Sequence, residues 1–208
     1  VCGIQWAIGL ELALYAKDLM RVHITTDHPN AGPFTRYPCV IKWLMSEKAR
    51  KATLDTMKWK DKVIAASNIA SMDRELGLYE IAMMTRAGPA KALGLAAIYG
   101  SLVKGADGNV AIYNLDANDL PSDPELIEAA FQNTAYTIKE GVVVVKDGEI
   151  IAEPHKYTLW TKVNMPENAQ VMHDIKEKFT KNYTVNLENY AVFDEHVHNP
   201  RAIELDVA

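Results

Sequence analysis

The dominant hydrophobic period of this chain of 208 residues changes near residue 100, and that change limits the possible folds more than any other feature. Up to about residue 99 the apolar residues recur at helical spacing. Ile4, Ala7, Ile8, Leu10, Ala13 and Leu14 do so in "GIQWAIGLELALYAKD", and Val40, Trp43 and Leu44 form a stripe on a helix from about Cys39 to Arg50. Leu76, Tyr79, Ile81 and Met83 mark a further helix from about Arg74 to Thr85, and "GPAKALGL" a short one, with Pro89 in its first turn and Gly94 at its cap. From Gly100 onward the spacing is that of strands. "GSLVKGADGNVAIYNLD" offers a turn at Gly105 to Gly108 and a strand at Val110 to Leu115, and "EGVVVVKDGEIIAEP" reads as a hairpin turning at Lys-Asp-Gly. "KYTLWTKVNM" and "ENYAVFD" read as strands on either side of an amphipathic helix, "NAQVMHDIKEKFTKNY". The expectation is an α/β chain in two parts, 1–99 mainly helical and 100–208 a small β-rich module.

One early strand interrupts the helical part. Val22, Ile24, Thr25 and Thr26 are β-formers, and the run from Arg21 to Thr26 stops abruptly in "DHPNAGPFTRYP", a turn-rich loop with three prolines. Asp27 therefore sits where a strand ends. In an α/β barrel that is where catalytic groups are placed, and an Asp there is equally at home bonding its own backbone.

Charge and cysteine content narrow the function classes. A net charge of −5 with no basic cluster beyond "KWKDK" gives no footprint for nucleic acid. Cys2 and Cys39 stand far apart and outside any CxxC, so neither a disulfide framework nor a cysteine-rich metal site is encoded, and both read as reduced, buried thiols. Glu11, Lys17 and Asp18 interrupt the first segment too often for a membrane span, and it lacks a signal peptide's basic start, so a cytoplasmic protein is expected. The absence of an initiator Met and the immediate start of an apolar helix read as a piece of a larger protein.

The stretch "TRAGPAKALGLAAIYGSLVKGADGNVAIYNLD" resembles the end of the metal-dependent amidohydrolase superfamily, where the last helix of a TIM barrel leads back to a β-sandwich beside it. Gly100, Leu102, Gly105, Asp107, Val110 and Ile112 fall at the superfamily's spacing, with Asn109 where a small residue is usual. Upstream, "GIQWAIGLELALYAKD" followed by "TTDHPNAGPFTRYP" is similar to the family formed by the A subunits of formylmethanofuran dehydrogenases and of the methylotrophic formyltransferase/hydrolase complexes. The resemblance implies the C-terminal fragment of an amidohydrolase TIM barrel, its last strand and helices within 1–99, with a small β-sandwich module in 100–208.

The same resemblance implies a subunit that reversibly condenses formate with the amine of methanofuran to N-formylmethanofuran, the first step of methanogenesis from carbon dioxide. It implies a dinuclear metal centre, zinc foremost, whose HxH pair, carboxylated lysine and further histidines lie upstream of Val1. It places tungsten- or molybdenum-pterin and iron–sulfur clusters in partner subunits only. Asp27 matches the Asp that ends the eighth barrel strand, and would serve as metal ligand and proton shuttle. A carboxylate held at a metal keeps its charge near neutral pH and can accept a proton from an attacking water. Two other readings stay open: the corresponding subunit of the methylotrophic complex, and a scaffold subunit without catalysis.

Other residues bear on the site. His28 and Asn30 are candidate substrate-binding residues of the same loop, with loop fixing as the alternative for each. Arg36 could meet formate or an acidic substrate tail, or form a structural ion pair. His23 reads as a barrel-interior or core histidine, and Glu11, on an apolar helix face, as a buried group that needs a partner. Trp6, Trp43, Trp59 and Trp160 read as core or interface aromatics. "HVH" at 196–198 has the form of a zinc-binding pair, but it follows the β-rich module instead of opening a barrel, so surface or interface histidines are expected.

Overall fold

A computed structural model describes residues 3–154, 157–165 and 170–206. Cys2 lies outside them. The chain divides into two compact units, residues 1–153 and 154–208. The helices and the first sheet thus share one unit, and the compact division falls some fifty residues beyond the change of period.

The first unit opens with α1 (Gly3–Tyr15), which buries Trp6, Ala7, Leu10, Ala13 and Leu14. Its other face is also apolar, with Ile8, Leu12 and Tyr15 exposed. After a 3₁₀ turn at Leu19–Arg21 and the unpaired segment 22–26 come α2 (Tyr37–Met45), α3 (Glu47–Asp55) and α4 (Lys60–Ala66). The apolar spacing predicts one helix through Ser46. Instead Ser46 adopts an extended conformation and its Oγ accepts the Ala49 N–H, so it caps a new helix and breaks the old one.

The next helical stretch begins as α5 (Leu78–Ala82), widens into a π-type turn over Met83–Ala87, and closes as α6 (Gly88–Ala92). The wide turn runs up to Pro89, which has no N–H with which to continue an α ladder. Leu10, Leu14, Leu44, Val63, Ile81 and Met84 form the centre of the core these helices enclose.

Two elements leave no clear mark in the hydrophobic period. They are α7 (Pro124–Gln132), capped by the Asp123 carboxylate on the Glu125 N–H, and strand β2 (Tyr136–Lys139). With β1 (Val110–Ile112), β3 (Val142–Lys146) and β4 (Glu149–Ile150), β2 builds a four-stranded antiparallel sheet in the order β1-β2-β3-β4. The expected hairpin is β3-β4. Asp147 and Gly148 both take positive φ (50° and 82°), the geometry that suits a tight two-residue connection.

In the second unit β5 (Thr158–Asn164) pairs in parallel with β6 (Pro200–Asp206), joined by α8 (Gln170–Asn182). The strand expected at "ENYAVFD" is absent: Leu187–Tyr190 and Asp194–His196 form 3₁₀ turns, and the strand comes six residues later. No described helix is long and apolar enough to cross a membrane.

Candidate active site

The strand expected from Arg21 to Thr26 does not form among the described residues: Arg21 closes a 3₁₀ turn, Val22 leaves it in an extended conformation, and the segment up to Asp27 joins no ladder. Its side chains still alternate as strand residues do. Val22 and Ile24 pack on the core, whereas His23 and Thr25 face outward. The alternation of faces was thus legible in the sequence, whereas a strand needs a partner that the sequence does not name. The segment is seated from below by α6. A Cβ on Gly88 would lie 2.9 Å from the Met83 carbonyl oxygen, 3.0 Å from that of Met20 and 3.2 Å from His23 Cδ2, so only glycine permits this approach.

The chain then turns sharply at Asp27, whose φ is +50°. That left-handed conformation costs most residues about 1–2 kcal/mol, and Asp is among the few that adopt it. Both backbone sides of Asp27 are held. Its N–H donates to Thr25 Oγ1 at 3.1 Å, and its carbonyl oxygen accepts the Ala31 N–H at 3.1 Å. The carboxylate itself is exposed and makes no hydrogen bond or ion pair among the described residues.

His28 follows. Its Nδ1 accepts the Phe34 N–H at 3.3 Å, and its ring meets the Phe34 ring edge-on, with centroids 5.2 Å apart. Asn30 is exposed at the tip of the same turn. The loop thus gathers Asp27, His28 and Asn30 within four residues. It does not gather a full metal-binding set, because no group of three or more His, Cys, Asp or Glu among the described residues is placed to hold an ion. Asp27 has the chemistry of one ligand, an unengaged carboxylate at a left-handed turn. Other ligands would have to come from other residues.

The remaining candidates lie outside this loop's cluster or serve packing. His23 is exposed rather than interior, with Nε2 3.3 Å from the Met20 carbonyl oxygen. Arg36 is exposed and forms no ion pair among the described residues. Glu11 finds its partner in Asn68, whose backbone N–H and side-chain amide each donate to the carboxylate at 2.8 Å. Trp6 and Trp43 meet edge-on in and beside the core, whereas Trp59 is exposed between Lys58 and Lys62. The "HVH" histidines stand in the second unit before β6. His196 ends a 3₁₀ turn against Phe193 and His198 lies beside Asn199, so the two do not share a strand.

Two charged clusters were invisible in the sequence. Arg50 on α3 is buried, and donates to the carbonyl oxygens of Trp43 (2.7 Å), Met72 (3.1 Å) and Arg74 (2.8 Å). Lys42 on α2 bonds Glu125 at 2.8 Å and also Glu128, tying α2 to α7. Burial opposes the Lys42 charge, but the two carboxylates outweigh it and raise its pKa. Beside it, burial first and Glu128 second push the half-buried Cys39 thiol up, away from thiolate reactivity.

The amidohydrolase family pattern matches residues 8–145, two-thirds of the chain and the whole of this site. The chain belongs to the amidohydrolase family. Among curated relatives it is 46% identical to protein FwdA of Methanocaldococcus jannaschii, over 99% of this chain and 36% of that protein. It is 40% identical to the A subunit of the formyltransferase/hydrolase complex Fhc of Methylorubrum extorquens, over 73% of this chain and 26% of that one. Among solved structures, the crystal structure of the FhcABCD complex from Methylorubrum extorquens with methylofuran aligns over 97% of this chain and 35% of the matched one, with a TM-score of 0.74 and 33% identity. The chain spans about a third or less of the length of these relatives.

Proposed function

We propose that the chain is the C-terminal part of a subunit that interconverts formate plus the amine of methanofuran with N-formylmethanofuran and water. In this reading residues 1–99 are the end of a (β/α)8 barrel, 22–26 its eighth strand, and 100–208 the module that follows. The single observation that carries it is Asp27: an unengaged carboxylate at a left-handed turn, within a chain similar to the A subunit of a formyltransferase/hydrolase complex and to a structure of that complex with methylofuran.

A dinuclear centre, zinc foremost, would be held in part by Asp27, and when bound it would polarise the formyl carbonyl and acidify water. Asp27 does the proton work. It takes a proton from the attacking water and delivers it to the nitrogen as the amide bond breaks. In condensation the same carboxylate takes a proton from the substrate ammonium and returns it to the departing oxygen. Asn30, three residues on, shapes the rim where the furan amine arrives. Partner subunits would supply formate through a tungsten- or molybdenum-pterin and iron–sulfur clusters of their own.

The test is metal content of the full-length subunit by mass spectrometry, alongside formate release from N-formylmethanofuran. About two metals per chain, as paired hydrolytic sites use, together with turnover supports the enzyme reading. A metal-free, inactive subunit within an intact complex overturns it and leaves a scaffold.

A further inference from the structure

We propose that His28 is the positioning residue of Asp27, acting through Nδ1 and not as a direct ligand of metal or substrate. The proposal rests on the reading of Asp27 as the proton shuttle. Three observations carry it. Phe34 opens the 3₁₀ turn Phe34–Arg36, so its N–H has no acceptor within that turn, and it donates to His28 Nδ1 at 3.3 Å. The two rings pack edge-on, which fixes the imidazole from a second direction. Asp27, the residue before, is held at φ +50° by bonds to Thr25 and from Ala31, both of which act on the N-terminal half of the loop.

The Phe34–His28 bond is thus the tie from the far arm of the loop to the turn that presents Asp27. It spans six residues, and without it no described hydrogen bond joins 33–36 to 27–28. The bond also decides against a ligand role. A neutral imidazole that accepts at Nδ1 carries its proton on Nε2, which leaves no lone pair for a cation. What remains is placement, and the placement of a base is worth much: a shift on the order of 1 Å can cost about a hundredfold in rate.

Two amide substitutions separate the roles, because the asparagine oxygen occupies the place of Nδ1 and the glutamine amide that of Nε2. In the full-length subunit within its complex, His28→Asn, His28→Gln and Asp27→Asn are assayed for formate release from N-formylmethanofuran, with metal content measured on each. Positioning predicts that His28→Asn keeps kcat within about threefold of wild type. It predicts that His28→Gln loses about ten- to a hundredfold in kcat, with KM nearly unchanged and metal content equal to wild type. The reverse order, Gln active and Asn impaired, or a loss confined to KM, assigns His28 to direct substrate contact and overturns the proposal. So does a loss of metal in both histidine variants, which would make it a ligand. If His28→Gln matches wild type while Asp27→Asn is inactive, only the positioning claim fails. If Asp27→Asn is as active as wild type, the shuttle reading fails and takes the proposal with it.

Discussion

Arg50 should be among the costliest side chains to remove from the first unit. It is 1% exposed, and its guanidinium joins three backbone carbonyls that have no other described donor: Trp43 in the last turn of α2, and Met72 and Arg74 on the segment leading to α5. Replacement by Met keeps most of the volume and removes every donor. A buried carbonyl left unpaired costs about 1–3 kcal/mol, and water reaching the partly buried Trp43 and Arg74 groups relieves some of that. The sum for Arg50→Met is a loss of about 3–5 kcal/mol, three such penalties less the part that water relieves. At about 2–4 °C per kcal/mol for a unit of this size, Tm should fall by roughly 6–20 °C. Arg50→Lys keeps the charge but not the planar fork, and should lie between the two. Urea unfolding followed by circular dichroism would check this on the chain. An Arg50→Met variant within about 1 kcal/mol of wild type would refute the reasoning, since the three carbonyls would then not depend on that donor.

Two further outcomes follow from packing and charge. Gly88→Ala forces a methyl against the Met20 and Met83 carbonyl oxygens and should cost about 1–3 kcal/mol, read as a lower urea midpoint, with a larger loss of activity in the full-length subunit because the segment ending at Asp27 shifts. The Lys42 pKa is raised in the fold above its ordinary 10.5, so the protonated form is favoured by folding. Its stabilisation is complete below pH 10.5 and is lost as pH rises through the folded value. Wild type should therefore lose stability more steeply than Lys42→Met on going to strongly alkaline pH, as followed by urea midpoints, and parallel pH profiles would count against the α2-α7 tie.

Much of the fold is written in local pattern, and each departure has its own cause. The β3-β4 hairpin was legible because Lys-Asp-Gly supplies positive φ at the point where two β-branched runs meet, and α6 because Pro89 and Gly94 mark its ends. Gly100 was legible as a pattern residue, and the structure gives the reason: at φ +83° its missing Cβ would sit 2.7 Å from that of Ala90. The helix break at Ser46 was not, because a serine inside an apolar stripe looks like a tolerated polar residue until its hydroxyl is seen capping Ala49. β6 lies later than "ENYAVFD" suggests because strand-forming residues alone do not make a strand, and the pairing with β5 is decided by residues some forty positions apart.

The candidate site divides in the same way. Asp27, His28 and Asn30 are close neighbours in sequence, so their loop could be read directly, and Glu11 announced its need for a partner by standing on an apolar face. Arg50 and the Lys42 cluster could not be found, because each joins residues far apart in the chain and nothing local distinguishes a buried arginine from a solvated one.

The central claim is that Asp27 moves the proton, and it is tested most directly by comparing the full-length wild-type and Asp27→Asn proteins under saturating N-formylmethanofuran. Formate release is measured per metal-loaded chain. Asparagine keeps the size and the turn preference of aspartate but cannot accept a proton, so a folded, metal-containing variant should lose kcat by about two to four orders of magnitude. A variant that turns over at the wild-type rate would contradict the claim and leave Asp27 as a turn residue only.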